Sequence, residues 1–217
     1  MRQLSRVLGA FALALAGSVA LLPGSANAAP CGPSAPTTTD CTLTGTITLA
    51  AGTLTLAAPA ALSWTATLTG NTQSVVATTA AQQQYEVNDA TGGGAGWHVT
   101  VSATTFTSGT DTLPNSGTFS TNGSLSSVTA NTAPTATCVT TCTLPTNSVT
   151  YPVAVTTAAT TPTPVTIYNA AAGTGVGDIL IGGSANPNPV GWWVTVPGTA
   201  VPGTYTSTVT LAIISGP

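Results

Sequence analysis

The sequence predicts an all-β protein: a single antiparallel β-sandwich, of Ig-like or Greek-key type, following a cleaved export signal. Three observations carry that prediction. Short runs in which apolar residues alternate with threonine recur along the chain, and a period of two marks a strand with one buried face. Clusters of Gly, Pro, Asn and Ser separate the runs, as they do between strands of sandwiches and barrels. No stretch has the apolar spacing of an amphipathic helix. Ala80–Gln84 is helix-compatible but too short to count.

The two strongest strand signals are near copies of each other. Residues 96–101 read Gly96-Trp97-His98-Val99-Thr100-Val101, and residues 191–196 read Gly191-Trp192-Trp193-Val194-Thr195-Val196. Together they hold three of the four tryptophans. Trp97, Val99 and Val101 share one face, as do Trp192, Val194 and Val196. An indole followed by β-branched residues suits a half-buried pleated surface. Both segments are expected to be central strands, with Trp97 and Trp192 packed inward. His98 and Trp193 alternate with those indoles and point the other way. An exposed Trp193 beside Thr195 suits stacking on a sugar ring or packing on a partner; a second layer over Trp193 is the alternative. No long linker separates the two strands, which favours one sandwich. The six-position echo is also compatible with two halves related by duplication.

In chain order, Ile47 and Leu49 alternate with threonines, and Leu54 and Leu56 do so after a turn at Gly52. Pro59 breaks the run. Leu62, Trp64, Ala66 and Leu68 then share a face opposite Ser63, Thr65, Thr67 and Thr69, ending at the Gly70-Asn71 turn. Val75 and Val76 start a short strand, and Tyr85 and Val87 alternate with Glu86 and Asn88. The glycine-rich link from Asp89 to Gly96 reads as a hairpin into the first tryptophan strand. Phe106 and Phe119 lie among turn residues, and residues 124–146 form an irregular excursion. Val149, Tyr151, Val153 and Val155 resume the alternation, with Pro152 arguing for a sheet edge. Val165 and Ile167 form a short strand, and residues 173–183 are glycine-rich around Ile179 and Ile181. After the second tryptophan strand and the Pro202-Gly203 turn, a final strand places Tyr205, Val209, Leu211 and Ile213 on one face.

Residues 1–28 are expected to be a secretory signal. Arg2 and Arg6 precede an apolar run from Val7 to Leu22, and Ala26-Asn27-Ala28 has the small-x-small form of a cleavage site. A retained membrane helix is the alternative, but the run is short for a span and the cleavage site follows closely. No second apolar run of membrane length follows. Residues 29–44 read as a Cys-, Pro- and Thr-rich arm, and residues 45–217 as the folded domain.

Charge narrows the function. The two basic residues other than histidine lie in the signal, leaving His98 against Asp40, Glu86, Asp89, Asp111 and Asp178. Nucleic-acid binding requires cations that displace phosphate counterions, and none remain. Anionic membranes are disfavoured for the same reason. Polarity comes from threonine, about a fifth of the chain, with Ser, Asn and Gln. A surface so poor in charge suits a molecule held in a carbohydrate matrix better than one diffusing freely. Such stretches can also carry O-glycans. Asn122-Gly123-Ser124 matches an N-glycosylation acceptor, read here as accidental.

Four cysteines in an exported chain point to disulfides. Of the three pairings, the expected one joins Cys31 to Cys41 and Cys138 to Cys142, each closing a short loop. The rival reading, metal binding by the Cys138–Cys142 spacing, meets a chain with one histidine, so no metal and no cofactor are expected.

An enzyme is not expected either. His98 is the sole imidazole, no nucleophile elbow precedes a helix, and no lysine is available. A glycosidase would need two carboxylates facing one bond. Glu86 and Asp89 fall on opposite faces of their strand and read as solvated surface acids. Gly92-Gly93-Gly94 lacks the helix and lysine of a phosphate loop.

Three segments resemble the WxL domain family of Gram-positive cell-surface proteins. The first is Tyr85-Glu86-Val87-Asn88-Asp89 followed by Gly96-Trp97-His98-Val99-Thr100-Val101-Ser102. The second is Trp192-Trp193-Val194-Thr195-Val196-Pro197. The third runs from Pro202-Gly203-Thr204-Tyr205 to Ser215-Gly216-Pro217. The resemblance spans roughly residues 45–217. It implies non-covalent attachment to the cell wall through peptidoglycan and through partner surface proteins. The family's two Trp-x-Leu motifs would map onto Trp97-His98-Val99 and Trp192-Trp193-Val194, each with Val in place of Leu, which keeps an inward apolar residue. No Leu-Pro-x-Thr-Gly sorting motif is present. The expectation is a secreted, non-catalytic protein bound to the wall. The alternative is a structural surface subunit or adhesin that acts by protein–protein assembly, its apolar last strand adding to another sheet's edge.

Overall fold

A computed structural model describes residues 45–217. The signal segment, the arm over residues 29–44 and the Cys31–Cys41 pairing lie outside the described residues. One compact unit spans Leu49–Pro217. Its strands, in order, are β1 (Leu54–Ala57), β2 (Gln73–Val76), β3 (Gln84–Asp89), β4 (Trp97–Ala103), β5 (Thr107–Ser108), β6 (Asp111–Thr112), β7 (Phe119–Asn122), β8 (Ala136–Cys138), β9 (Val153–Val155), β10 (Val165–Ala170), β11 (Gly177–Gly182), β12 (Gly191–Val196) and β13 (Val209–Ser215). One 3-10 turn, Ala80–Gln82, is the helical piece among the described residues.

The strands form a β1-β3-β11-β8 sheet, a β10-β4-β13 sheet, a β2-β12-β7-β9 sheet and a small β5-β6 ribbon. Every strand pairing is antiparallel. The all-β, antiparallel expectation holds. Both tryptophan strands are flanked on each side, as their apolar content requires: β4 by β10 and β13, β12 by β2 and β7. β9 is an edge strand that begins just after Pro152, where the missing N–H costs no ladder bond.

Period-two burial follows the sequence closely. Along β3, Tyr85, Val87 and Asp89 are buried while Gln84, Glu86 and Asn88 are half-buried. Trp97, Val99 and Val101 are fully buried on β4. In β10 the register shifts between Thr166 and Tyr168. A bulge turns two successive side chains inward there, so both Ile167 and Tyr168 are buried.

Several sequence expectations are corrected. The Asp89–Gly96 link joins two sheets and is no hairpin. β3 already has β1 and β11 on its two edges, which leaves no room for β4. The link is fixed instead by Asp89, whose carboxylate accepts from Thr91 N at 3.0 Å and Thr91 Oγ1 at 2.6 Å. Asp89 is therefore a buried acid, not a solvated one. Leu62 and Trp64 are half-buried between exposed neighbours, but Ala66 and Leu68 are exposed, and residues 62–68 belong to no strand. Ile47 and Leu49 also lie outside any strand and are 81% and 83% exposed. Val149 and Tyr151 precede β9 rather than join it.

Two aromatic clusters anchor the core, each holding one motif tryptophan. Trp97 stacks on Tyr168 with centroids 6.2 Å apart, and its Nε1 donates to Gly175 O at 2.7 Å. Trp192 stacks on Phe119 at 6.0 Å. Phe119 and Phe106 meet each other and Trp64 edge-on at 5.9 to 6.0 Å. Truncating a buried Phe or Trp to Ala costs about 3–5 kcal/mol, so each cluster is a large share of a domain's net stability.

Candidate functional site

The site centres on β12, where adjacent indoles face opposite ways. Alternation along the strand turns Trp192 inward and Trp193 outward. Two concavities result, and Trp64 borders both. Trp64 is held between them by its Nε1, which donates to Trp192 O at 2.9 Å.

On the inner side lies a groove of about 1070 Å³. The segment over residues 62–68 forms one wall and residues 200–208 the other. Trp192, Val194 and Phe106 form the floor. No charged side chain lines it. Trp192 is fully buried, and its Nε1 has no hydrogen-bond partner.

On the outer side lies a hollow of about 520 Å³. Ser63, Thr65, Ser74, Thr78 and Ser126 bring hydroxyls to its wall, with Trp193 beneath. Ser74 Oγ and Thr195 Oγ1 are 2.9 Å apart across the β2–β12 pair. Gln82 and Ser63 hold a further rim contact, with Gln82 Nε2 donating to Ser63 Oγ at 3.0 Å.

Trp193 does face outward but is not an open platform. It is 5% exposed, and its Nε1 donates to Ser124 O at 3.0 Å. The covering loop is organised by Asn122, whose Nδ2 donates to Val128 O at 2.8 Å and whose Oδ1 accepts from Ser124 N at 2.8 Å. Of the two alternatives for Trp193, the covering layer is the one found. Asn122 itself is fully buried, and its amide is committed to the loop it closes.

The remaining motif residues are structural in placement. Trp97 and Val99 are fully buried, and Val194 is 4% exposed. The two motifs lie in different sheets, so they do not converge on one surface. His98 is half-buried on the outer face of β4, with Nδ1 2.7 Å from Gly216 O. Among the described residues, no three His, Cys, Asp or Glu side chains gather as metal ligands. Cys138 and Cys142 are disulfide-bonded, with Cα atoms 5.5 Å apart.

One acidic pair escaped sequence reasoning. Glu86 on β3 contacts Asp178 on the adjoining β11, not Asp89. Burial, then the hydrogen bond to Asp178, then repulsion from its charge all push the Glu86 carboxyl above its ordinary value. The two acids are far apart in sequence, and only the β3–β11 register brings them together.

Comparison with protein families matches residues 16–217 to the WxL domain, described as surface cell wall-binding. The chain belongs to the WxL domain family. No curated protein and no solved structure matches it. In this WxL protein Val99 and Val194, each two residues after an inward-facing tryptophan, are both buried. No helix among the described residues is long and apolar enough to cross a membrane.

Proposed function

We propose that this WxL protein is secreted and non-catalytic, and that it associates non-covalently with peptidoglycan in the Gram-positive cell wall. The observation that carries this reading is the family match over residues 16–217. The proposed contact is the hydroxyl-lined hollow above Trp193. Its wall offers donors and acceptors from Ser and Thr next to apolar ring edges, the combination that a sugar's hydroxyls and C–H faces require. Arginine and lysine are confined to Arg2 and Arg6, so anionic wall polymers find no cationic partner. In this reading Trp97, Val99, Trp192 and Val194 shape the sheets and Trp193 forms the floor. His98 lies on another sheet and contributes through its bond to the chain end.

Co-sedimentation with purified sacculi tests the reading. The exported protein pellets with the walls. A Ser74→Ala/Thr78→Ala/Ser126→Ala variant, which removes hydroxyls from exposed positions, binds about tenfold less or weaker still, each lost bond being worth roughly 0.5–1.5 kcal/mol. A parent that stays in solution contradicts wall association. Undiminished binding by the variant removes the hollow as the contact.

A second reading, assembly with other surface proteins, draws on the seven-residue edge strand β13. It carries no charge, proline or bulge to discourage pairing.

A further inference from the structure

The groove between residues 62–68 and 200–208 has the form of a sheet that lacks a strand. Its wall residues Leu62, Trp64, Ala66 and Leu68 alternate with hydroxylated residues. Yet the main-chain groups of Leu62–Leu68 make no main-chain hydrogen bond among the described residues. The inner surface is apolar and uncharged. Elsewhere lies a segment with a strand's sequence pattern that belongs to no sheet. Thr46-Ile47-Thr48-Leu49-Ala50 has period-two apolar spacing and no ladder partner among the described residues. Its two large side chains are 81% and 83% exposed. Both apolar positions of the pattern are thus left in solvent.

We propose that Thr46–Ala50 of one copy enters the groove of a second copy as an added strand. Ile47 and Leu49 then fill the apolar interior above Trp192. The inserted main chain supplies partners to main-chain groups along residues 62–68 other than Ser63 N and Thr67 O, which are bonded to the side chains of Gln82 and Gln73, and the threonines stay at the rim. Strand addition draws affinity from main-chain bonds and specificity from alternate side chains. Neither surface is charged, so no desolvated ion opposes insertion. Donor and acceptor are different surfaces, so the contact is head-to-tail and extends beyond a dimer unless it closes into a ring. This inference stands apart from the wall-binding proposal, and its test contains no wall material.

The test uses the full-length gene expressed in a Gram-positive host, with the exported protein purified and its mass followed by light scattering over rising concentration. The parent forms a ladder of oligomers. A donor variant, Ile47→Asp/Leu49→Asp, and a groove variant, Val201→Asp, change exposed residues only, and near-ultraviolet circular dichroism confirms that each retains its tertiary packing. Each variant alone self-associates about a hundredfold more weakly, since a carboxylate would have to enter an apolar groove. Mixed, they form a one-to-one complex and nothing longer, because the donor variant keeps an intact groove and the groove variant an intact donor. A monomeric parent, association that survives either variant, or a mixture that stays monomeric overturns the proposal.

Discussion

Gly96→Ala isolates why each tryptophan motif opens on glycine at its most constrained point. Gly96 has a φ of +76°, and a Cβ there would sit inside contact distance of the Ala170 carbonyl oxygen and 3.0 Å from the Ala171 carbonyl carbon. Ala170 pairs with Trp97 in the β10–β4 ladder and the Ala171 carbonyl accepts from Thr174 N at 3.0 Å, so neither can retreat without disturbing those bonds. The left-handed backbone costs an alanine about 1–2 kcal/mol. Overpacking adds about 1–3 kcal/mol. The expected loss is about 2–5 kcal/mol, a large part of the roughly 5–15 kcal/mol available to a domain. Gly70 provides the control, since it shares a φ of +76° but has nothing within 4 Å of the added Cβ. Gly70→Ala should therefore lose only the backbone share. The assay is urea unfolding of both variants, read as a midpoint shift at unchanged m-value. Losses that agree within about 0.5 kcal/mol would refute the crowding argument.

Three other outcomes follow from buried polar groups and the staple. The Tyr85 hydroxyl is buried without a partner, whereas the Tyr151 hydroxyl donates to Ile167 O at 2.7 Å. Tyr85→Phe should leave urea stability unchanged or slightly higher, while Tyr151→Phe should lose about 0.5–1.5 kcal/mol. Glu86 holds its proton more tightly in the folded state than in the unfolded one, so its stability contribution falls as pH rises from below 4.5 through the raised folded value. Glu86→Gln should therefore stabilise the protein at neutral pH, with the gain vanishing in acid; a gain equal at both extremes would contradict the Asp178 contact. Replacing both Cys138 and Cys142 by Ala opens a loop of sequence separation 4 and should lower stability by about 2 kcal/mol on the chain-entropy estimate, without loss of fold.

How far the sequence could be read depended on the range of the interaction. Burial along β3 and most of β4 was legible because the side-chain period within one strand decides it, whereas on β12 a covering loop buries Trp193 as well as Trp192. The same rule misled at Leu62–Leu68, where alternation reports which side faces apolar matter but not whether a partner strand lies alongside. Pairing was the least legible level. The Asp89–Gly96 link has a hairpin's composition, but the edges of β3 were taken by β1 and β11, both set by distant sequence. The cover over Trp193 left no apolar signal, since it is a serine-rich loop tied by the side chain of Asn122. Trp64, the fourth tryptophan, belonged to an evident pattern, but its place between two concavities required the bond to Trp192 O.

The central claim is that neutral contacts hold this WxL protein to the wall, and the salt dependence of binding tests it most directly. Binding of the exported protein to purified sacculi is measured at low ionic strength and again at molar sodium chloride, where exposed charges are screened within about 3 Å. The same fraction should be bound at both, because the proposed contact is made by hydroxyls and ring edges. Binding that collapses at high salt, or binding absent at both, would contradict it.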